Sequence, residues 1–299
     1  MTINKKSIAS LSDRAVYLVL DWSFMGTWKR VETQDTNSEV RARKRIVKAE
    51  AISKIRKLAG RQRRMLRMYA LNSLFRPGVY VVPLDYIEQV DDKLKEAKSE
   101  MELLKDELKA EWKAIIAEAK KRLGKHFDPN DYRSADAAAA AYDLNYRYVP
   151  IADTPEILKT IAADAYKEDL ERSRQETEKE LEQFRDSLRL TLLGIVENMR
   201  QTLTKPDGEK RVFGQRFFKR LDNFLGTFDS KNLSDDGALK KVVEQLRKVS
   251  QGVDIGDLKK DADIQAEMNS NLHQITKTMK EMVKEDGRMI DLSMVEDEA

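Results

Sequence analysis

Apolar residues recur at steps of three and four along most of the chain, and this periodicity predicts three long helices. The clearest spans 84–123, where Ile87, Val90, Leu94, Ala97, Met101, Leu104 and Leu108 form a heptad seam. Trp112, Ile115 and Ala119 extend it after a four–four step, which relaxes a left-handed supercoil locally. At about 1.5 Å per residue this helix is about 60 Å long, too long for a compact bundle. An earlier stripe of Val47, Ala51, Ile55, Leu58, Met65 and Tyr69 predicts a helix over 38–74. Ser38 and Glu39 start it, Gln62 interrupts it beside Gly60, and Arg76-Pro77-Gly78 stops it, because proline lacks a backbone donor. The third helix starts at Asp153-Thr154-Pro155-Glu156 and runs to about Leu203, with Leu181, Phe184, Leu188, Leu192, Ile195 and Met199 on its stripe. Its middle, 171–180, is polar on every face and cannot lie in a deep core. That polar stretch is expected to be the exposed shaft of an antiparallel pair with the helix over 84–123.

Elsewhere the period drops to two. Ala15 to Trp28 is rich in β-branched and aromatic residues and predicts a strand; Val79–Pro83 predicts a short edge strand. Tyr142 to Ile151 alternates tyrosine with polar residues and predicts a strand packed by the N-terminal one. Thr33 to Asn37 is a polar turn, Ser134 to Ala141 a short alanine-rich helix, and Lys205-Pro206-Asp207-Gly208 a further turn. After it, Val212, Phe213, Phe217, Phe218, Leu221, Phe224, Leu225 and Phe228 form the densest aromatic cluster, followed by helices near 236–250 and 261–285. The predicted fold is therefore mainly α: a long antiparallel, coiled-coil-like hairpin with a small β element and a C-terminal helical bundle. The expected divisions are an N-terminal β segment (1–37), an elongated hairpin domain (38–204, tip 124–155), a C-terminal bundle (205–288) and an acidic tail (289–299).

Composition sharpens this in two ways. Charged residues reach 36% of the 299, with both signs interspersed, as long helices with large solvated faces require. Cysteine is absent, which excludes disulfides, thiolate nucleophiles and thiolate metal sites, and makes a reducing cytoplasm the expected location. No signal-like core follows the N-terminus and no window has the apolar length of a bilayer span, so neither export nor membrane insertion is expected.

The net charge of +3 conceals an uneven layout. Arg41 to Arg67 holds twelve Lys or Arg residues and one acid, Glu50, whereas Asp291 to Ala299 holds four acids and no base. Arg43, Lys44, Arg45, Lys48, Arg56, Lys57, Arg61, Arg63, Arg64 and Arg67 are the candidate nucleic-acid-binding residues, since cations spread around a helix outside its apolar stripe neutralise phosphates. The competing reading pairs them with acids on the flanks of the other long helices, including Asp91, Glu96, Glu182 and Asp186. Tyr142, Tyr146 and Tyr148 offer either a stacking platform for single-stranded bases or one face of a small sheet. The seam over 84–123 is an intramolecular contact or a dimer interface, so a homo-oligomer stays open.

Catalytic chemistry has little to stand on. The two histidines, His126 and His273, have no second ligand nearby, and His126 suits the carbonyls of a helix end. No glycine-rich phosphate loop, nucleophile elbow or paired histidine motif occurs. No enzyme activity, cofactor or metal is expected.

Three segments carry a family resemblance: Asp21-Trp22-Ser23-Phe24-Met25-Gly26-Thr27-Trp28, Gly78-Val79-Tyr80-Val81-Val82-Pro83, and Phe217-Phe218-Lys219-Arg220-Leu221-Asp222-Asn223-Phe224. With them the chain resembles the phage- and plasmid-associated family known only as domain of unknown function 3150. It departs from that pattern where Thr27-Trp28, ahead of Lys29-Arg30, replace a basic residue after the glycine. The resemblance implies a mobile-element protein working beside MoxR-like AAA+ ATPases and von Willebrand A-type proteins, and it carries over no active residue. The expected function is thus a non-enzymatic helical adaptor or scaffold, probed against a nucleic-acid-binding protein that acts through 41–67.

Overall fold

A computed structural model of the chain describes residues 11–31, 43–74, 77–151, 160–204, 216–251, 253, 258 and 260–285. Outside them lie the turn at 33–37, the helix start at Ser38, Arg41, Arg76, the cap at 153–156, the turn at 205–208, Val212, Phe213 and the acidic tail.

The first alternating run forms β1 (Ala15–Ser23), which sends Val16, Leu18, Leu20 and Trp22 to one face. It pairs antiparallel on one side with β5 (Val79–Pro83), Leu18 opposite Tyr80, and on the other with β6 (Asp143–Pro150), Leu20 opposite Tyr146. A two-residue strand, β4 (Leu71–Asn72), completes the order β4-β5-β1-β6. The segment expected at the sheet edge is therefore interior, because the short β4 covers it. Gly78 is required at the turn into β5: its φ is +89°, and an added Cβ would lie 2.8 Å from the carbonyl oxygen of Leu20.

The expected strand from Ala15 to Trp28 is broken. β1 stops at Ser23, and Trp28–Arg30 forms β2 in a separate two-stranded ribbon with β3 (Arg43–Arg45). The expected helix over 38–74 is correspondingly shorter. Its described part begins only at α1 (Glu50–Tyr69), because Arg43–Arg45 is claimed by cross-strand bonding and Ala49 ahead of the helix is still extended, φ −141° and ψ 147°. Ile46 and Val47 are buried, and the Ile46 N–H donates to the Thr27 carbonyl at 2.9 Å, so tertiary pairing overrides helix propensity here. The helix is continuous through Gly60 and Gln62, and Gln62 is buried within the stripe.

The seam helix is α2 (Ile87–Leu123), about 56 Å long at about 1.5 Å per residue. Every seam residue after Ile87, from Val90 to Ala119, is buried. The partner differs from the expected one. Val90, Leu94, Met101, Leu108 and Trp112 share a single core with Leu18, Leu20 and Val82 of the sheet, Ile55, Leu58 and Leu66 of α1, and Ala138 of α3 (Ala135–Ala140). Salt bridges Lys54–Glu107 and Arg61–Glu100 show α1 and α2 running antiparallel. The Trp112 indole N–H donates to the Arg133 carbonyl at 2.9 Å, and Ser134 caps α3.

These elements make up one compact unit, Ala15–Ile151; the residues up to Arg14 and from Ala152 onward make up a second. The division falls inside the span 38–204 treated above as one hairpin domain. Its cause is β6, which returns to β1 over eight residue pairs and closes the first unit around its own core. The expected hairpin partner of α2 belongs to the other unit.

In that second unit α4 (Ala163–Leu203), α5 (Arg216–Lys231), α6 (Gly237–Ser250) and α7 (Ala262–Glu285) bury Phe184, Leu188 and Leu192 together with Phe224, Phe228, Val243, Leu272 and Met279. Only half of the stretch 171–180 of α4 is exposed, and Thr177 and Glu180 are buried. One buried ion pair joins three helices: Arg189 of α4 meets Asp236 at 2.7 Å and donates to the Met282 carbonyl of α7 at 3.1 Å. Burial works against the Asp236 carboxylate. The Arg189 bond and the N–H groups of Leu239 and Ala238, which it caps, nevertheless hold its pKa below the usual range.

Candidate nucleic-acid interface

At about 100° per residue the core positions of α1 (Ala51, Ile55, Leu58, Gln62, Leu66) occupy one side of the helix. The cations fall on the opposite side in two rows, Arg56, Arg63 and Arg67 in one and Lys57, Arg61 and Arg64 in the other, and all six are exposed. From Arg56 to Arg67 the rows run about 16 Å along the axis. The only acid of α1 is Glu50, in its first turn.

Ion pairing removes only part of this charge. Arg61 is held by Glu100 and Lys54 by Glu107, which raises the Lys54 pKa chiefly through that bond. Arg56 donates to the Thr27 hydroxyl at 3.3 Å, fastening α1 to the connector ahead of β2. No acidic partner among the described residues accompanies Lys57, Arg63 or Arg64. Of the four acids proposed as competitors, Asp91 is bound by Lys95 and the Tyr146 hydroxyl, Glu96 by Lys93, and Asp186 lies beside Arg185. None of these three is bound by an α1 cation in those contacts.

The remaining candidates are not helical. Arg43, Lys44 and Arg45 lie in β3 and face Arg30, Lys29 and Trp28 of β2 in that order. Like charges directly opposite one another destabilise a strand pair, so this ribbon concentrates positive potential at a cost to its own stability. Lys44 is neutralised by Asp131 at 2.7 Å and also donates to the His126 carbonyl. Arg30 and Arg43 are exposed and have no acidic partner among the described residues; the same holds for Lys48 in the connector to α1. Arg122 at the end of α2 donates to the Arg45 and Ile46 carbonyls, and the Tyr132 hydroxyl donates to Ile46, so the ribbon is anchored beside Lys120, Lys121 and Lys125. The cations of that last turn also complement the helix dipole.

Lys29, Arg30 and Trp28 were not among the predicted residues. The signal that marks them is the pairing with Arg43–Arg45, which no local periodicity reveals. Tyr142, Tyr146 and Tyr148 face inward on β6 and just before it, packed with the core. Burial raises the Tyr142 pKa to about 12 and pushes Tyr148 and Tyr146 upward as well; Tyr146 is raised further by its bond to Asp91. They form a sheet face and are not a surface for bases. His126 is exposed and acts through its carbonyl, and no cluster of metal-ligating side chains occurs among the described residues. No helix among them is long and apolar enough to cross a membrane. Compared with known families, curated proteins and solved structures, the chain matches none.

Proposed function

We propose that the protein binds nucleic acid through the outward arc of α1. The observation that carries this reading is the arrangement of Arg56, Lys57, Arg63, Arg64 and Arg67 opposite the buried stripe, on a helix whose one acid is Glu50. A solvated helix face normally mixes both signs, as the outer face of α2 does with Lys93, Glu96, Lys98 and Glu102. An arc of one sign on a rigid, core-anchored helix suits a phosphate backbone and carries no base-reading geometry, so the binding is electrostatic and tolerant of sequence.

Filter binding of the full chain to a labelled oligonucleotide over a salt series tests it. Affinity should fall steeply with salt, and replacing Lys57, Arg63 and Arg64 by Glu should weaken binding and flatten the salt slope by about 2 to 3. Retention that ignores salt, or a variant that binds as the parent does, contradicts the proposal.

A second reading is a helical adaptor for protein partners, such as the AAA+ ATPase or von Willebrand A-type protein implied by the resemblance. Its candidate contacts are two large apolar side chains left in water, Leu103, 70% exposed on α2 away from the seam, and Ile161, 73% exposed ahead of α4. Leu103→Asp and Ile161→Asp should then abolish capture of a purified AAA+ partner.

A further inference from the structure

We propose that the ribbon of β2 and β3 is a second contact for the same ligand and makes that ligand a single strand, with Trp28 stacking on an unpaired base. This rests on the nucleic-acid reading of α1 and adds to it the class of nucleic acid. Trp28 is 55% exposed, the largest side chain the first unit leaves in water to that degree, whereas Trp112 is buried and Trp22 half-buried. Exposing an indole forfeits apolar burial, which is recovered when a flat apolar partner covers it.

The surroundings specify which partner. Residues directly opposite in an antiparallel pair share a face, and alternate residues return to it, so Trp28, Arg45, Arg30 and Arg43 lie on one face of the ribbon. Lys29 and Lys44 lie on the other, where Lys44 is tied to Asp131 and the end of α2. One face thus combines a stacking ring with the exposed guanidinium groups of Arg30 and Arg43, with Arg45 half-buried beside them. Trp28 and Arg30 are about 7 Å apart along the strand, room for one nucleotide between a stacked base and its neighbouring phosphate. Neither Arg30 nor Arg43 has an acid to neutralise it among the described residues. Indole carries one N–H donor and no acceptor, so Trp28 is ill suited to reading base edges in a groove; its chemistry is stacking, which needs an unstacked base. A basic groove with an aromatic platform is the general recipe for sequence-tolerant single-strand binding.

The experiment compares the full chain, Trp28→Ala and Trp28→Phe for binding to fluorescein-labelled oligothymidine of about twenty nucleotides and to a duplex of equal length. The expected result is that Trp28→Ala weakens oligothymidine binding about 5- to 100-fold, leaves duplex binding unchanged, and is largely restored in Trp28→Phe. Quenching of intrinsic tryptophan fluorescence by oligothymidine should vanish in both variants, since Trp28 is the exposed indole. Oligothymidine binding that is equal in Trp28→Ala and the parent overturns the ribbon's role while leaving the α1 reading intact. Preference of the parent for duplex does the same. Absence of binding to either nucleic acid overturns both, and circular dichroism of each variant confirms that the comparison concerns folded protein.

Discussion

Leu94 lies in the N-terminal part of the α2 seam with no exposed surface, in the core that α2 shares with the sheet and α1, and Leu94→Ala measures what that seam packs against. Removing the buried methyl groups loses their transfer free energy and leaves a cavity that two helices and a sheet in fixed register cannot close; a cost of about 3 to 4 kcal/mol follows. Leu103 lies on the same helix but is 70% exposed, so Leu103→Ala should cost less than about 0.5 kcal/mol. Equilibrium urea unfolding followed by tryptophan fluorescence isolates the relevant unit, because Trp22, Trp28 and Trp112 all lie within Ala15–Ile151. With a urea slope of about 1.5 to 2 kcal/mol/M, the Leu94→Ala midpoint should fall by about 2 M and that of Leu103→Ala by under about 0.3 M. Midpoints shifted equally, or a Leu94→Ala variant as stable as the parent, would refute the packing described for α2.

Three further outcomes follow from the same contacts. Gly78→Ala should destabilise the sheet by about 2 kcal/mol or more in the same assay, since φ is +89° and the new Cβ meets the Leu20 carbonyl. Arg189→Met should cost about 3 to 5 kcal/mol in far-ultraviolet unfolding of the helical unit, because Asp236 would remain buried and charged without its partner. Lys231 is buried, and burial lowers its pKa from 10.5 to about 8. The unfolded chain therefore binds the extra proton between those values, so stability should rise as pH climbs from about 8 toward 10.5, and charging this lysine costs about 3 kcal/mol at neutral pH. Denaturation midpoints at pH 7 and pH 10 should show that rise in the parent, and Lys231→Met should show less of it.

Much of the secondary structure was legible in periodicity. The seam from Val90 to Ala119 is buried as its three- and four-residue steps require, and the caps Ser134 and Asp236 stand where the sequence places helix starts. Failures came where partners distant in sequence decide the outcome. Arg43–Arg45 has no intrinsic reason to be extended; it is so because Trp28–Arg30 pairs with it and because Ile46 and Val47 must both face inward. The heptad seam shows that α2 buries one face but is silent on what covers it, and the sheet together with α1 supplies the cover. The basic arc was visible as a charge run. Its division into members paired with an acid, such as Arg61, and members with no acidic partner among the described residues, such as Lys57, depends on where Glu100 falls across the α1–α2 contact, which only the fold determines.

Hydrogen–deuterium exchange of the full chain with and without a saturating oligothymidine tests most directly that α1 and the ribbon hold nucleic acid. Amides of Trp28–Arg30, Arg43–Arg45 and the outward turns of Glu50–Tyr69 should slow on binding, while those of Gly237–Ser250 and Ala262–Glu285 stay unchanged. Slowing confined to the C-terminal helices, or none at low salt, would contradict the assignment.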